Sequence, residues 1–593
     1  MPTDRTPPDK PEGLAEVHLD AITIEVMGNA LISIPDEMLA ALIKSAYSSN
    51  IKERQDCSTV IIDADGQLAV PSGMSIPIHL SSFELTGAAI LQRFPKESLR
   101  PGDVFAVNDA YTGGPSHLAD ITFAAPVFDG DELLCFVANT GHWPDMGGKT
   151  RGQASIGDAT EIYQEGLRIP PVQLYTAGVL RHDLLEMILL NVRDSEDREG
   201  DVRAHVGCLK LGEKRLHEMI DRYGGNTLRQ ALREMQSVSE IKTRHGISKL
   251  PEGEYTAVDY LDDDVDSDEP IPIKVRITVR HTPEPSVTVD FTGTGPAVKW
   301  GCNSPYQGTA AAVYWALRSL TDPDVLPNEG FRRCIEIVAP KGSLVNCQAP
   351  SPIAARYQVC VLIPDLVFHA VGATVKHNLE AGNHGIHSVM FASQRPPNFV
   401  VLEAVGGGGG ARPIKDGLGP HNDAINMPVE AMEMEFPILV DRLEYITDSG
   451  GAGRFRGGLG VRKDYRALDD IYVGSHSNRH KIPAPGLLGG KPGMGTRYVI
   501  DADSDAPHLL PRNCSEVPIP VDHRVSVMTG GGGGYGNPLE RDPGLVLNDA
   551  VNGFVSPEAA ERDYGVALDL ADRSVDENAT RGLRRKAMSG ETA

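Results

Sequence analysis

The stretch GGPSHLADITFAAPVF, residues 113–128, sets His117 and Asp120 three positions apart at the mouth of an apolar run. A second apolar run, LLCFVANT, leads into NTGHWPDMGG, which carries His142. Two imidazoles and one carboxylate form a donor set for a divalent cation that leaves positions open for water or substrate. Asp and His also cap turns at strand ends, so residue type and spacing leave both readings standing. The two apolar runs flank DGDE, and an Asp-Gly pair between apolar runs predicts a hairpin. Partners in an antiparallel pair have numbers that sum to a constant. A turn centred near Gly130 therefore sets Asp120 opposite a residue between Asn139 and His142. The fold-back predicts Asp120 and His142 at one end of a hairpin, with His117 one short loop away. Asp56, in KERQDCSTVI, likewise precedes a strand and is a candidate fourth ligand that spacing does not place.

Other chemistry-bearing patterns fare worse. DMGGKT ends like a phosphate-binding loop, but G-x-x-x-x-G-K-[ST] requires glycine where the chain has Trp143. No serine sits in G-x-S-x-G, and H-E-x-x-H is absent. His476 and His480 in HSNRH, or His384 and His387 in HGIH, could share a helical face and bind a metal. Neither motif contains a carboxylate, so a surface or turn role is preferred, and His476 is expected to be dispensable. EIYQEGLRIPPVQL contributes Glu165 and Arg168, either a surface ion pair or groups that touch substrate or support the metal loop. GGGGGARPIKDG could align backbone N–H groups with Arg412 and Lys415 as an anion nest, or serve as turns.

The elements that must position these residues are read from pattern. DAITIEVMGNALISIPDEMLAALIKSAYSSNIKER has apolar residues at helical spacing, interrupted near Pro35, and predicts two consecutive helices. From CSTVIIDADG onward the period becomes strand-like, and residues 205–245 return to a helical pattern. The acidic run DYLDDDVDSDEP is expected to be a solvated loop, since it lacks the glycine and late glutamate of a calcium loop. IKVRITVR and SVTVDFTGTG predict strands; GTAAAVYWALRSL and IPDLVFHAVGATVKH predict helices. The last third is rich in glycine and proline, and its glycine runs are taken as tight turns between strands.

The expected fold is a multidomain mixed α/β (α+β) chain. It has a disordered N-terminus (1–16), a helical and hairpin-rich α+β unit carrying the metal site (17–250) and a central α+β unit (251–400). A glycine-rich, mainly β unit (401–570) and a mobile tail (571–593) follow. The 593 residues, 41% hydrophobic and 23% charged, suit sizeable globular cores. A formal charge of −25 argues against nucleic acid and anionic membranes as partners. The polar, proline-rich start predicts no signal peptide, and no uncharged apolar run of membrane-spanning length is found. Eight scattered cysteines, none in C-x-x-C, predict reduced thiols in the cytoplasm.

Taken together, RQDCSTVIIDADG, NDAYTGGPSHLADITFAAPVF, NTGHWPDMGG, GDATEIYQEGLRIPPVQL and GGGGGARPIKDG…INMPVE resemble the B-subunit family of ATP-dependent hydantoinases. That family includes the matching half of 5-oxoprolinase and subunits of acetone and acetophenone carboxylases. The resemblance spans about residues 20–565. It implies a divalent metal, zinc or manganese, held at the positions of Asp56, His117, Asp120 and His142. It also implies a separate A-type partner of the actin-like ATPase kind that spends ATP to phosphorylate the substrate. The resulting expectation is a cytoplasmic hetero-oligomer, with two or more copies of the chain, that hydrolyses a cyclic amide. A metal-activated water would open the ring. A ketone carboxylase using bicarbonate and a non-catalytic scaffold for the ATPase are the alternatives.

Overall fold

The computed structural model describes residues 20–152, 157–263, 267–375, 378–422 and 424–589. The expected disorder of 1–16 and the last four residues of the expected mobile tail lie outside them. The chain is mixed α/β with several sheets, as expected from its pattern.

Asp20 opens helix α1 (Ala21–Ser45) by accepting from the backbone N–H groups of Ile22 and Thr23. The pattern predicts two helices here, yet α1 runs straight through Pro35 before a separate short turn α2 (Ser49–Lys52). Proline removes one N–H donor. Here the helix is held on both sides of it, because Met27, Leu31, Met38 and Leu42 are fully buried. The Thr59 hydroxyl also donates to the Pro35 carbonyl at 2.6 Å. By length and composition α1 is apolar enough to cross a membrane, but those side chains face the protein's own core.

The first sheet has seven antiparallel strands in the order β2-β1-β5-β4-β3-β6-β7. They are β1 (Cys57–Asp63), β2 (Leu68–Pro71), β3 (Val104–Val107), β4 (Asp120–Asp129), β5 (Glu132–His142), β6 (Val172–Thr176) and β7 (Val179–Leu180). Alternate residues serve opposite faces. Cys57, Ile61, Phe123 and Val137 pack with α1 and two long helices, α5 (Ser195–Tyr223) and α6 (Gly225–Ile247), which follow the short α4 (His182–Leu190). Val60, Ile62, Phe105 and Phe136 pack instead against Leu80, Phe83 and Ile90 of α3 (Pro77–Arg93). The sheet is thus covered on both sides, which explains its continuous apolar runs.

The second sheet has the order β11-β10-β9-β8, built from β8 (Gly253–Leu261), β9 (Ile271–Arg280), β10 (Ser286–Asp290) and β11 (Ile335–Val338). IKVRITVR forms a one-faced strand: Ile273, Val275, Ile277 and Val279 are buried, while Lys274, Arg276 and Arg280 are exposed. The buried side chains face α7 (Tyr306–Thr321) and α10 (Leu362–Val371), with the short α8 (Glu329–Arg332) and α9 (Tyr357–Cys360) nearby in the chain. The acidic run is no solvated loop in its described part. Asp259 pairs with Arg479 at 3.0 Å, Asp262 accepts from the backbone N–H groups of His480 and Ile482, and Asp263 accepts from Arg512. Its charges anchor a distant segment.

Two further sheets share a third core. One has the order β13-β12-β16-β19, with β12 (His387–Ser393), β13 (Val400–Ala404), β16 (Ile471–Ser477) and β19 (Asn513–Ile519). The other is β14-β15-β20-β17-β18, with β14 (Ile438–Tyr445), β15 (Val461–Ala467), β17 (Arg497–Ile500), β18 (His508–Leu509) and β20 (Arg524–Met528).

Tight turns occur within the glycine-rich stretches, at 413–414, 447–448 and 488–489, but most of the glycines are not in turns. They lie side by side as extended segments whose backbones touch. Gly532 donates to the Gly458 carbonyl at 3.0 Å and accepts from Gly451 N–H at 2.8 Å, while Gly458 donates to Gly409. A Cβ on Gly532 would sit 1.9 Å from the Gly409 oxygen, and one on Gly408 would sit 2.0 Å from the Gly458 oxygen. In the stretch considered above as an anion nest, the N–H groups of Gly407, Gly408, Gly409 and Ala411 donate to the carbonyls of His421, Gly530, Leu418 and Gly533, which withdraws them from such a nest; Arg412 stands 3.7 Å from Glu380. Residues 571–589 supply a strand pair partner, Ser574–Val575, and a helix, Glu577–Ser589.

Candidate metal centre

The β4–β5 hairpin sets the geometry. Its register pairs Asp120, the first residue of β4, with His142, the last of β5. A bulge between Val127 and Phe128 absorbs the one-residue shift near the turn. On the other side of β5, Cys57 pairs with Gly141, and His142 N–H donates to the Asp56 carbonyl at 3.0 Å. Asp56 is therefore carried to the same sheet edge by strand pairing. His117 arrives through the loop before β4, and its Nε2 lies 3.0 Å from Asp120 Oδ2. The His117 and His142 rings stand 5.1 Å apart.

Candidate ligand atoms of His117, Asp120 and His142 all lie within 4.8 Å of one another, and so do those of Asp56, His79 and Asp120. Sequence reasoning does not single out His79. It sits in the first turn of α3, and its Nε2 lies 3.6 Å from both Asp56 Oδ1 and Asp120 Oδ1. The Ser58 hydroxyl holds its Nδ1 at 2.9 Å. Two arginines also escape the sequence reading. Arg356, just before α9, donates to Ser116 Oγ at 2.7 Å and reaches Asp120 Oδ2 at 3.3 Å; Arg54 lies 3.9 Å from Asp56. No local pattern flags them, because tertiary packing alone brings them to the sheet edge. The cavity between these groups is about 60 Å³, room for a few waters.

His476 lines the same cavity and is buried, which overturns the expectation of a surface or turn position. HSNRH is not helical: His476 belongs to β16, and pairing with β12 and β19 turns its side chain inward.

The donor set fits a cation. Burial, with Arg356 adding repulsion, lowers the His117 pKa to about 4. Burial also lowers that of His142. Both rings are neutral at pH 7, the form that coordinates metals. Burial works to raise the Asp120 pKa, but His117, His79 and Arg356 overcome it and hold the carboxyl well below its usual range. Asp120 Oδ1 is buried and accepts no hydrogen bond from any described residue. A buried anionic oxygen without a donor is costly unless a cation completes it.

Glu165 and Arg168 do not reach this cavity. Glu165 Oε1 accepts from the N–H groups of Ile353 and Ala354 at 2.8 and 2.9 Å, bracing the segment that leads to Arg356. Burial pushes its carboxyl up to about 8 against the pull of those donors. Arg168 grips Asp109 with two hydrogen bonds of 3.0 and 2.9 Å. The neighbouring Asn108 amide donates to the Leu118 and Leu167 carbonyls, so this corner ties the His117 loop to β6's approach.

His384 and His387 form a separate relay, with Nδ1 atoms 3.1 Å apart. Gly530 N–H donates to His387 Nε2, so His387 carries its proton on Nδ1 and donates to His384 Nδ1. His384 Nε2–H then donates to the His421 carbonyl. Burial drives the pKa of His387 down to about 3 and that of His384 well below its usual value. The pair is structural rather than ligating.

The hydantoinase B/oxoprolinase family model matches residues 20–538. The chain belongs to the hydantoinase B/oxoprolinase family. It is 33% identical over 583 residues to the B-type subunit of a putative D-/L-hydantoinase from Pseudomonas sp. (strain NS671), covering 96% of this chain and 98% of that protein. The crystal structure of the ATP-dependent caprolactamase from Pseudomonas jessenii superposes with a TM-score of 0.88 at 28% identity, covering 96% of this chain and 100% of that one. The nucleotide-free structure of acetone carboxylase gives a TM-score of 0.86 over 96% of this chain and 84% of that one; at 19% identity it shows a shared fold. The family's enzymes include hydantoinases, caprolactamase and 5-oxoprolinases.

Proposed function

We propose that this chain is the ring-opening subunit of a heteromeric ATP-dependent enzyme that hydrolyses a cyclic amide. The observation that carries the reading is the meeting of Asp56, His117, Asp120 and His142 around one buried cavity. The subunit designations of its relatives support an A-type partner that spends ATP, and we place the assembly in the cytoplasm.

Asp56, His117, Asp120 and His142 would hold one divalent ion, zinc or manganese. Such an ion, when bound, lowers the pKa of water toward neutrality and polarises a carbonyl or phosphoryl oxygen. The substrate reaches this site with its carbonyl oxygen phosphorylated by the partner. The oxygen of one water then bonds to the amide carbon, the carbon–nitrogen bond of that adduct breaks and the ring nitrogen leaves carrying the protons of that water; a second water hydrolyses the acyl phosphate so formed to carboxylate and free phosphate. Arg356 brings a fixed positive charge within 3.3 Å of Asp120, where it would offset the negative charge of the phosphorylated oxygen on the carbon under attack. Asp120 and Ser116 orient that guanidinium. Glu165 positions the same segment from behind through Ile353 and Ala354.

The test is a co-expressed complex with the ATPase partner, assayed for ADP and ring-opened product together. Replacing Asp120 or His142 by alanine should lower product formation by several orders of magnitude while the partner's ATP use persists. ATP use that requires bicarbonate and a ketone would contradict the hydrolytic reading.

A further inference from the structure

A second, larger chamber of about 320 Å³ adjoins the metal cavity. That is the size of a small-molecule site, equal to roughly ten waters of liquid. Ile78 and Tyr357 stand in the wall of both spaces, so the two meet at these side chains. Ala311 and Ala312 of α7 line it together with Pro364, and Trp315, 37% exposed, lies at its edge. Among the described residues no Asp, Glu, Lys or Arg lines it.

Three of its polar side chains, Asn383, His384 and Asn422, are already engaged. Asn383 donates its side-chain amide to Asp365 and accepts from Gly410 N–H. His384 is held in the histidine relay, and the Asn422 amide donates to the Ala404 carbonyl. A group entering the chamber gains apolar contact and desolvation and meets no side-chain charge. The metal cavity next door is its opposite, small and lined by carboxylates, imidazoles and guanidinium groups.

Resting on the cyclic-amide reading above, we propose that this chamber is a specificity subsite for an uncharged, apolar side group carried by the cyclic amide, whose polar ring lies at the metal centre. The volume suits a branched alkyl or a single aromatic group. Ala311 and Ala312 set the depth, because longer side chains there would occupy the space that the group needs.

The test is calorimetric titration of the full chain with 5-(2-methylpropyl)hydantoin and with unsubstituted hydantoin. The branched compound should bind at least about tenfold tighter, the discrimination expected when an apolar pocket gains a methylene or more. Ala312→Leu should abolish that preference while metal content stays unchanged. Trp315→Ala, at the exposed edge where no overpacking arises, should reduce it several-fold. Equal affinity for the two compounds, or a preference that survives both substitutions, overturns the proposal. If the preference and its loss are observed but the complex opens no cyclic amide, the chamber stands and the hydrolytic reading falls. If the complex opens unsubstituted and alkyl-substituted rings with equal kcat/KM, the chamber proposal falls and the hydrolytic reading stands.

Discussion

Gly532→Ala tests the glycine packing most sharply. The new Cβ would lie 1.9 Å from the Gly409 oxygen and 2.3 Å from its carbonyl carbon, where real Cβ contacts stay beyond 3.0 Å. The obstacle is backbone, so no rotamer change relieves it. The segments must part by about 1 Å, which breaks the 3.0 Å bond from Gly532 to Gly458 and the 2.8 Å bond from Gly451 to Gly532. Two buried bonds lost leave up to four orphaned groups at about 1–3 kcal/mol each, so the cost is on the order of 4 kcal/mol or more. That is a large share of the roughly 5–15 kcal/mol that holds a domain folded. The apparent melting temperature should fall by roughly 8 °C or more, read by differential scanning fluorimetry and soluble yield. Gly207→Ala is the matched control: a Cβ there meets nothing within 4 Å on α5, and helix propensity favours alanine by about 1 kcal/mol. A Gly532→Ala protein melting within about 2 °C of wild type would refute the account of the glycine runs as touching backbones.

Two further outcomes follow from buried charge. Arg479→Met should destabilise by about 3–5 kcal/mol, seen in urea denaturation, because it strips the cation from Asp365 and Asp259, which it reaches at 2.9 and 3.0 Å; an unchanged midpoint would contradict this. Glu165 binds its proton up to about pH 8 when folded, whereas the unfolded carboxyl releases it near its ordinary value of 4.5. Between those values the unfolded chain binds fewer protons, so this residue makes stability fall as pH rises, by up to about 1.4 kcal/mol per pH unit. Glu165→Gln should flatten the melting temperature between pH 5 and pH 8 relative to wild type, and parallel curves would count against the buried, protonated carboxyl.

Much of the hairpin is legible because its signals are local. The Asp129-Gly130 turn and the strand period determine which residues oppose each other, and the observed Asp120–His142 pairing lies within the range so derived. His79, Arg356 and His476 carry no such signal, since α3, the segment before α9 and β16 meet the sheet edge only through tertiary packing. The glycine runs mislead because a residue without a side chain permits both a turn and a close backbone contact, and only the neighbours decide which. Pro35 suggests a helix break because the loss of one N–H is weighed locally. The burial of Leu31 and Met38 on either side is not visible from that window. The acidic run reads as solvated because its partners, Arg479 and Arg512, lie more than two hundred residues along the chain.

The central claim is that one divalent ion sits between Asp56, His117, Asp120 and His142. Inductively coupled plasma mass spectrometry of the gently purified full chain measures it directly, beside His142→Ala, Asp120→Ala and, as a control at an exposed histidine, His508→Ala. The account predicts about one equivalent of zinc or manganese in wild type and in His508→Ala, with most of it lost in the other two. A folded His142→Ala or Asp120→Ala protein that retains a full equivalent would contradict it.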